Sequence, residues 1–246
     1  MASTQDALYR ELDLDLSWSE ADLPERERTK HVHRLHPYLG KFIPQLVEAL
    51  LNRYFAPGQH VLDPFAGSGT TLVQALESGL DATGADIASF NCLLMEVKTR
   101  GYNPFVLERE LRAACERIGE TSSERPCGYV RDWFAPQAAR ELLGLDDCRE
   151  LEVGAGAAGT SRAALEAYSD GIVATFRNVR SSLREDAPVV IVVNDRRELY
   201  PEILERAGLR EERRHRRHVN RRTGRRAGEY FEDVLVCSFR YSGTKA

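Results

Sequence analysis

The 246-residue sequence has no long apolar run and no closely spaced pair of cysteines. Because no stretch of about 18 apolar residues occurs, we expect no membrane-spanning segment. The N-terminus lacks a basic start followed by an apolar core, so a secretory signal peptide is not expected. The five cysteines are odd in number, and no two of them are separated by only two residues. This pattern predicts a reducing, cytoplasmic environment and argues against a structural zinc site.

Lysine is also scarce, and the basic charge that is present is concentrated in one place. The chain has four Lys against 30 Arg and a formal net charge of −4. Residues 210–226 contain nine Arg and two Glu, so this window carries +7 and the remaining chain −11. A local basic patch on an acidic protein indicates a localised anionic partner.

Apolar periodicity in the first half predicts alternating strands and helices. Helices are expected over 43–54, 71–78, 88–99 and 105–118, and strands over 60–65, 81–87 and 128–133. This alternation is typical of βαβ units and a mostly parallel sheet. We expect an N-terminal arm over 1–30 and one α/β domain over 31–246.

The second half is less regular. Helices are expected over 138–145, 162–183 and 198–207, and residues 151–161 have the composition of a flexible linker. The β-branched run at 187–195 is typical of a central parallel strand. Two final strands, over 213–221 and 230–240, predict an antiparallel hairpin at the sheet edge.

A glycine-rich turn in VLDPFAGSGTT, residues 61–71, links a predicted strand directly to a helix. Gly67 and Gly69 allow a sharp turn and a close approach of the backbone to a ligand. The amides that open the helix at Thr70 and Thr71 favour negative charge. Asp86 ends the second strand, where a carboxylate can accept both hydroxyls of a ribose.

Three kinds of ligand site use such a turn. A nucleotide P-loop requires a lysine that is absent here. A dinucleotide site requires a third glycine, and position 72 is Leu. A site for S-adenosylmethionine (SAM) needs only two glycines, because it cradles no pyrophosphate. The pattern therefore favours SAM over a turn that merely packs a strand against a helix.

The motif DPFAGSGTT closely resembles motif I of the SAM-dependent DNA amino-methyltransferases, which methylate adenine N6 or cytosine N4. TGADI at 83–87 is similar to their motif II, and residues 36–54 resemble the segment preceding motif I. The resemblance implies a Rossmann-like methyltransferase fold, SAM as cofactor and DNA as partner. It implies cofactor binding by these residues: Tyr38, Lys41, Phe42, Asp63, Pro64, Phe65, Ala66, Gly67, Ser68, Gly69, Thr70, Thr71, Asp86, Ile87 and Asp132. Of these, Tyr38, Lys41 and Phe42, together with Pro44, would border the methionine end of SAM, and Asp132 its adenine.

The catalytic tetrapeptide of that family, Asp/Ser/Asn-Pro-Pro-aromatic, is missing, because the chain has no Pro-Pro dipeptide. Its expected position lies between Asp147 and Arg162. Three explanations stay open, namely an engineered deletion, natural decay, and a degenerate fourth strand near Glu150 and Glu152 with another acceptor. Asn194 and Asp195 are the candidate catalytic acceptors. The alternative is that this pair forms a turn or caps the following helix.

The basic segment is expected to contact nucleic-acid phosphates, through Arg217, Arg221, Arg222, Arg225 and Arg226. The alternative is an edge whose arginines pair with acidic groups or prevent aggregation. His31, His33 and His36 are interpreted as part of a loop lining the cleft, and no metal is expected. The resemblance implies methylation of a DNA amino group. A binding module without turnover, and an RNA or small-molecule methyltransferase, are the alternatives.

Overall fold

A parallel strand pair and a three-stranded antiparallel sheet, both covered by helices, form the framework of the chain. The computed structural model describes residues 14–18, 22–23, 27, 30–35, 42–120, 161–219 and 230–240. The strands are β1 (His60–Asp63), β2 (Asp81–Gly84), β3 (Val189–Val193), β4 (Leu209–Val219) and β5 (Tyr230–Phe239). The helices are α1 (Pro44–Tyr54), α2 (Thr70–Glu77), α3 (Ser89–Thr99), α4 (Pro104–Glu120), α5 (Arg162–Arg180) and α6 (Tyr200–Ala207). Two short 3-10 turns span Leu14–Leu16 and His31–Leu35.

The predicted Rossmann-like α/β class and the antiparallel C-terminal hairpin are confirmed. Each described helix and strand was predicted, with ends that differ by a few residues. The strand expected over 128–133, the helix over 138–145 and the linker over 151–161 lie outside the described residues. The largest shift is at β4, which begins at Leu209 rather than at residue 213.

The parallel pair holds the glycine-rich turn. β1 and β2 run side by side in register, with His60 opposite Asp81 and Asp63 opposite Gly84. α2 connects them as a crossover helix, and Gly79 follows it with a φ of +70°. Because this connection makes the two strands parallel, their carboxyl ends lie side by side at the same edge of the sheet. A buried cluster fixes the helices on these strands: Val47, Leu51, Val61, Ala75 and Leu80.

The prediction that the strand over 187–195 is a central parallel strand is wrong for the described pairing. β3 pairs only with β5 among the described strands, in antiparallel register from Val189 opposite Cys237 to Val193 opposite Asp233. The sheet order is β3-β5-β4, so β5 is the central strand of this sheet. A continuous β-branched run signals burial on two faces, and it does not distinguish parallel from antiparallel partners.

Helix α1 joins the two sheets, because it is apolar on two faces. Val47 and Leu51 face the parallel pair, whereas Leu46 and Leu50 pack against Val234 of β5. Leu16, from the predicted N-terminal arm, is fully buried in the same cluster. Part of the arm is therefore built into the core. No helix among the described residues is long and apolar enough to cross a membrane.

Candidate functional site

Two positions of the turn between β1 and α2 have a backbone conformation that favours glycine. Gly67 has a φ of +51° and Gly69 a φ of +80°, both in the left-handed region. A Cβ at Gly69 would also lie 2.9 Å from the Cγ of Met95, which packs against the turn from α3. At Gly67 the nearest heavy atom to such a Cβ is 4.0 Å away. Gly69 is therefore packed from behind, and Gly67 lies open to a ligand.

The peptide plane between Ser68 and Gly69 is held from both sides. The amide of Gly69 donates to the carbonyl of Ala66 at 2.8 Å. The Lys98 ammonium donates to the carbonyl of Ser68 at 2.6 Å, and both residues are buried. A rotation of this peptide would break both bonds. Lys98 lies 30 residues away on α3 and was not predicted, since no sequence signal marks a lysine that turns inward.

Asp86, which follows β2, fastens this turn to the neighbouring strand. One oxygen, Oδ2, accepts the amide of Gly67 at 2.9 Å. The other, Oδ1, accepts the amide of Ala88 at 2.9 Å and the side-chain amide of Asn91 at 3.0 Å. A carboxylate offers about four lone-pair positions, so one acceptor position remains, on Oδ2. Without rearrangement Asp86 therefore has room for one further donor, whereas the sequence predicted a carboxylate that accepts both hydroxyls of a ribose. The role of Asn91 was also not predicted.

Asp63, the last residue of β1, places a second carboxylate beside the turn. Its Oδ1 accepts the amide of Phe65 at 3.0 Å. Burial raises the pKa of Asp63, bonds from Thr71 and Phe65 oppose the rise, and repulsion from Asp86 adds to it. A carboxylate that is removed from water is stabilised by a cationic neighbour, which lowers the raised pKa toward its ordinary value.

The surroundings of the turn combine unused polar groups with exposed apolar side chains. The Ser68 hydroxyl is buried and has no hydrogen-bond partner among the described residues. The first amides of α2 have no acceptor within the helix, as at every helix start. Phe65 and Ile87 are 47% and 44% exposed. The site therefore suits a ligand with cationic, hydroxyl and aromatic parts.

The other predicted cofactor residues divide into described and undescribed ones. Phe42 is 39% exposed directly before α1. Tyr38, Lys41 and Asp132 lie outside the described residues. His33 is fully buried and bonds Gln74 of α2 at 3.0 Å, so it joins the N-terminal segment to the helix after the turn. Within the described ranges no cluster of His, Cys, Asp or Glu could hold a metal ion.

Asn194 and Asp195, the candidate catalytic acceptors, are engaged in local structure. Asp195 accepts the amides of Leu199 at 2.9 Å and Tyr200 at 2.8 Å, which caps the start of α6. The Asn194 side-chain amide donates to the carbonyl of Phe231 on β5. Both residues follow β3, as predicted. The bonds of Asp195 correspond to the capping alternative, whereas Asn194 links the end of β3 to β5.

The structure does not agree with the predicted phosphate contact of Arg217. This residue is 5% exposed, its Nε lies 3.1 Å from Glu232 Oε2, and its Nη1 donates to the carbonyl of Leu16 at 3.4 Å. Burial lowers the pKa of Arg217, and Glu232 opposes that shift. The charge is used inside the protein, and the arginine is not available to DNA.

The remaining arginines of β4 mostly have partners nearby. Arg214 contacts Glu211 and Asp233, and Arg210 contacts Glu212. Along this strand the structure therefore favours the alternative of pairing with acidic groups. Four of the five arginines that were predicted to bind phosphate lie outside the described residues: Arg221, Arg222, Arg225 and Arg226.

Parts of this chain are similar to known proteins. The DNA methylase family matches residues 6–96. The type II methyltransferase M.MjaII of Methanocaldococcus jannaschii is 54% identical over 118 residues, 48% of this chain and 22% of that protein. The type II methyltransferase M.MvaI of Kocuria varians is 37% identical over 82 residues, 32% of this chain and 18% of that protein. The chain thus spans about a fifth of the length of these relatives.

A crystal structure of TrmN from Thermus thermophilus is similar over 82% of this chain and 50% of that one, with a TM-score of 0.42 and 18% identity. The family match covers α1, β1, the glycine-rich turn, α2, β2 and most of α3. These are the elements that place Gly67 and Asp86 against each other. The segment over residues 6–96, which holds the glycine-rich turn, is therefore similar to the DNA methylase family, and the curated relatives above are type II methyltransferases.

Proposed function

We propose that this chain binds SAM at the glycine-rich turn and takes part in methyl transfer to an exocyclic amino group of adenine or cytosine in DNA. The observation that carries the proposal is the bond from the Gly67 amide to Asp86, which lies within the family segment. Because the chain spans about a fifth of its methyltransferase relatives, the whole reaction is part of the proposal.

The residues at the turn fit this cofactor. Gly67 lies open, so the donor can approach its backbone. Asp86 offers its remaining acceptor position to a ribose hydroxyl, and the Asp63 carboxylate suits the methionyl ammonium. The amides that open α2 suit the carboxylate of the cofactor. When bound, SAM supplies an electrophilic methyl group.

Tyr38, Lys41 and Phe42 are proposed at the methionine end of the cofactor, and Asp132 at its adenine. The task of the chain is to hold the donor in one orientation and exclude water around it.

The amino group of the target base is a weak nucleophile, since its lone pair is delocalised into the ring. It therefore needs hydrogen-bond acceptors that fix its orientation. Asn194 already bonds β5, and Asp195 already bonds the start of α6. We place DNA contact at Arg221, Arg222, Arg225 and Arg226.

A binding module without turnover is the second candidate. Two observations favour it, the absence of a Pro-Pro dipeptide and the engagement of Asp195 in capping. Such a module would bind SAM and DNA as the enzyme does. The two candidates differ only in whether methylated DNA is formed.

Calorimetry with SAM, followed by transfer of a labelled methyl group from SAM to duplex DNA, tests both candidates. We expect binding with one site per chain and label in the DNA. Binding without label supports the module. Absence of SAM binding would remove the cofactor site and with it both candidates.

Lys98 offers a test of the held peptide at the turn. We expect Lys98→Met to weaken SAM binding about tenfold, because a hydrogen bond to a charged group contributes about 1.5–3 kcal/mol and methionine keeps the apolar stem. Arg100→Met, at an exposed position directly after the same helix, is the matched control and is expected to bind SAM like the wild type. Equal affinities of both variants, measured by calorimetry on folded protein, would contradict the role of Lys98.

A further inference from the structure

A partly open cavity lies at the carboxyl end of β3, away from the glycine-rich turn. It has a volume of about 320 Å³ and is lined by the first turns of α5, the end of β3 and the start of α6. Its lining includes Leu165, Tyr168, Asn194, Arg196, Arg197 and Leu199. This volume is within the range of small-molecule pockets. None of the cofactor residues predicted from the sequence lines this cavity.

Two tyrosines give the cavity an aromatic wall with a polar tip. The hydroxyls of Tyr168 and Tyr200 lie 3.0 Å apart, and both residues line the cavity. Only one hydroxyl hydrogen is used between them, so the pair retains one donor. Burial raises the pKa of Tyr200, which keeps its hydroxyl protonated. Leu165 and Leu199 complete an apolar wall against which a flat ring can pack.

The cavity also carries net positive charge. Arg196 and Arg197 are exposed, and Arg197 forms no ion pair with any residue the structure describes. The Arg196 guanidinium lies 5.6 Å from the centre of the Tyr230 ring. Asp195 is the one acidic residue of the lining, and its two oxygens already accept the amides of Leu199 and Tyr200. Two cations therefore face one largely satisfied anion.

We infer that this cavity binds a nucleotide, with the base against Tyr168 and the leucines and the phosphate on Arg196 and Arg197. Aromatic and apolar walls bind a base without selecting its identity, and arginine forks match phosphate oxygens. The choice of a nucleotide within DNA as its source rests on the proposed function. A free mononucleotide presents the same chemistry.

The inference is tested by titrating the protein with deoxyadenosine and deoxycytidine monophosphates. Binding is measured by protein-detected NMR and by calorimetry. The protein is first saturated with S-adenosylhomocysteine, so that the adenine part of a probe does not enter the cofactor site. We expect one monophosphate to bind at the cavity, with shifted signals from Tyr168 and Arg197. Deoxynucleosides and inorganic phosphate are each expected to bind at least tenfold more weakly. A short single-stranded oligonucleotide that binds more tightly than the monophosphates identifies DNA as the source, and equal affinity identifies a free nucleotide.

Two variants remove the site in different ways. Arg196→Ala/Arg197→Ala removes the charge, and Ala164→Trp fills the cavity from the first turn of α5. Each is expected to weaken monophosphate binding at least tenfold. Arg112→Ala/Arg184→Ala removes two exposed arginines that do not line the cavity and is expected to leave it unchanged.

Several outcomes would overturn the inference. These are no monophosphate binding by the wild type, equal binding by all variants, and phosphate binding as tight as that of the nucleotide. Failure of the proposed function is recognised separately. If S-adenosylhomocysteine does not bind, the cofactor site is absent, while the monophosphate titration still reports on the cavity.

Discussion

Replacing Asp86 by alanine is expected to weaken SAM binding about 100-fold, which corresponds to about 3 kcal/mol. The substitution leaves three donors without their acceptor: the Gly67 amide, the Ala88 amide and the Asn91 side chain. A donor left unsatisfied costs about 1–3 kcal/mol when buried, and less here because water reaches the half-buried site. The turn then loses its bond to the neighbouring strand, and the cofactor loses its ribose acceptor.

Asp86→Asn separates charge from shape. The amide has one acceptor oxygen, so its nitrogen must face a donor of the turn, and we expect a loss close to that of alanine. Asp81→Ala is the matched control, because it removes the same charge from an exposed position at the start of β2. Calorimetry gives the affinities, and thermal unfolding verifies that each variant is folded. If Asp86→Ala binds SAM like Asp81→Ala, the assigned cofactor site is wrong.

Arg217→Met is expected to lower the free energy of unfolding by about 3 kcal/mol, at the lower end of the range for breaking a buried ion pair. The variant leaves the partly buried Glu232 carboxylate without its cation and the Leu16 carbonyl without a donor. Arg213→Met, at an exposed position of the same strand, is the control and should change stability by less than about 0.5 kcal/mol. Urea unfolding followed by circular dichroism measures the difference.

The double variant Arg217→Met/Glu232→Gln isolates the pair. Because no lone charge stays buried, we expect it to recover part of the stability lost in the single variant. A double variant that is no more stable than Arg217→Met would show that packing, and not the ion pair, explains the loss. In folded protein Arg217→Met should also leave DNA affinity unchanged, since this guanidinium faces the interior.

Local sequence pattern was sufficient to predict the glycine-rich turn and the carboxylate beside it. Strand, glycine turn and helix follow from DPFAGSGTT, because the left-handed backbone of Gly67 and Gly69 strongly favours glycine. Asp86 follows the second strand at the edge shared with the first, which a βαβ unit requires. These features depend on neighbours within about 20 residues, and local patterns specify them.

The side chains that complete these elements come from distant parts of the chain, and local sequence pattern does not identify them. Lys98 reaches Ser68 across 30 residues, and Arg217 is buried because the register of the hairpin places Glu232 directly opposite it. Sequence periodicity indicates that a strand is buried, but it does not identify the neighbours of that strand. Among the described strands of this sheet, β5 and not β3 is central. The register of the hairpin thus pairs a predicted DNA-binding arginine with a partly buried carboxylate, whereas the local bonds of Asp195 to Leu199 and Tyr200 make this candidate catalytic residue a helix cap.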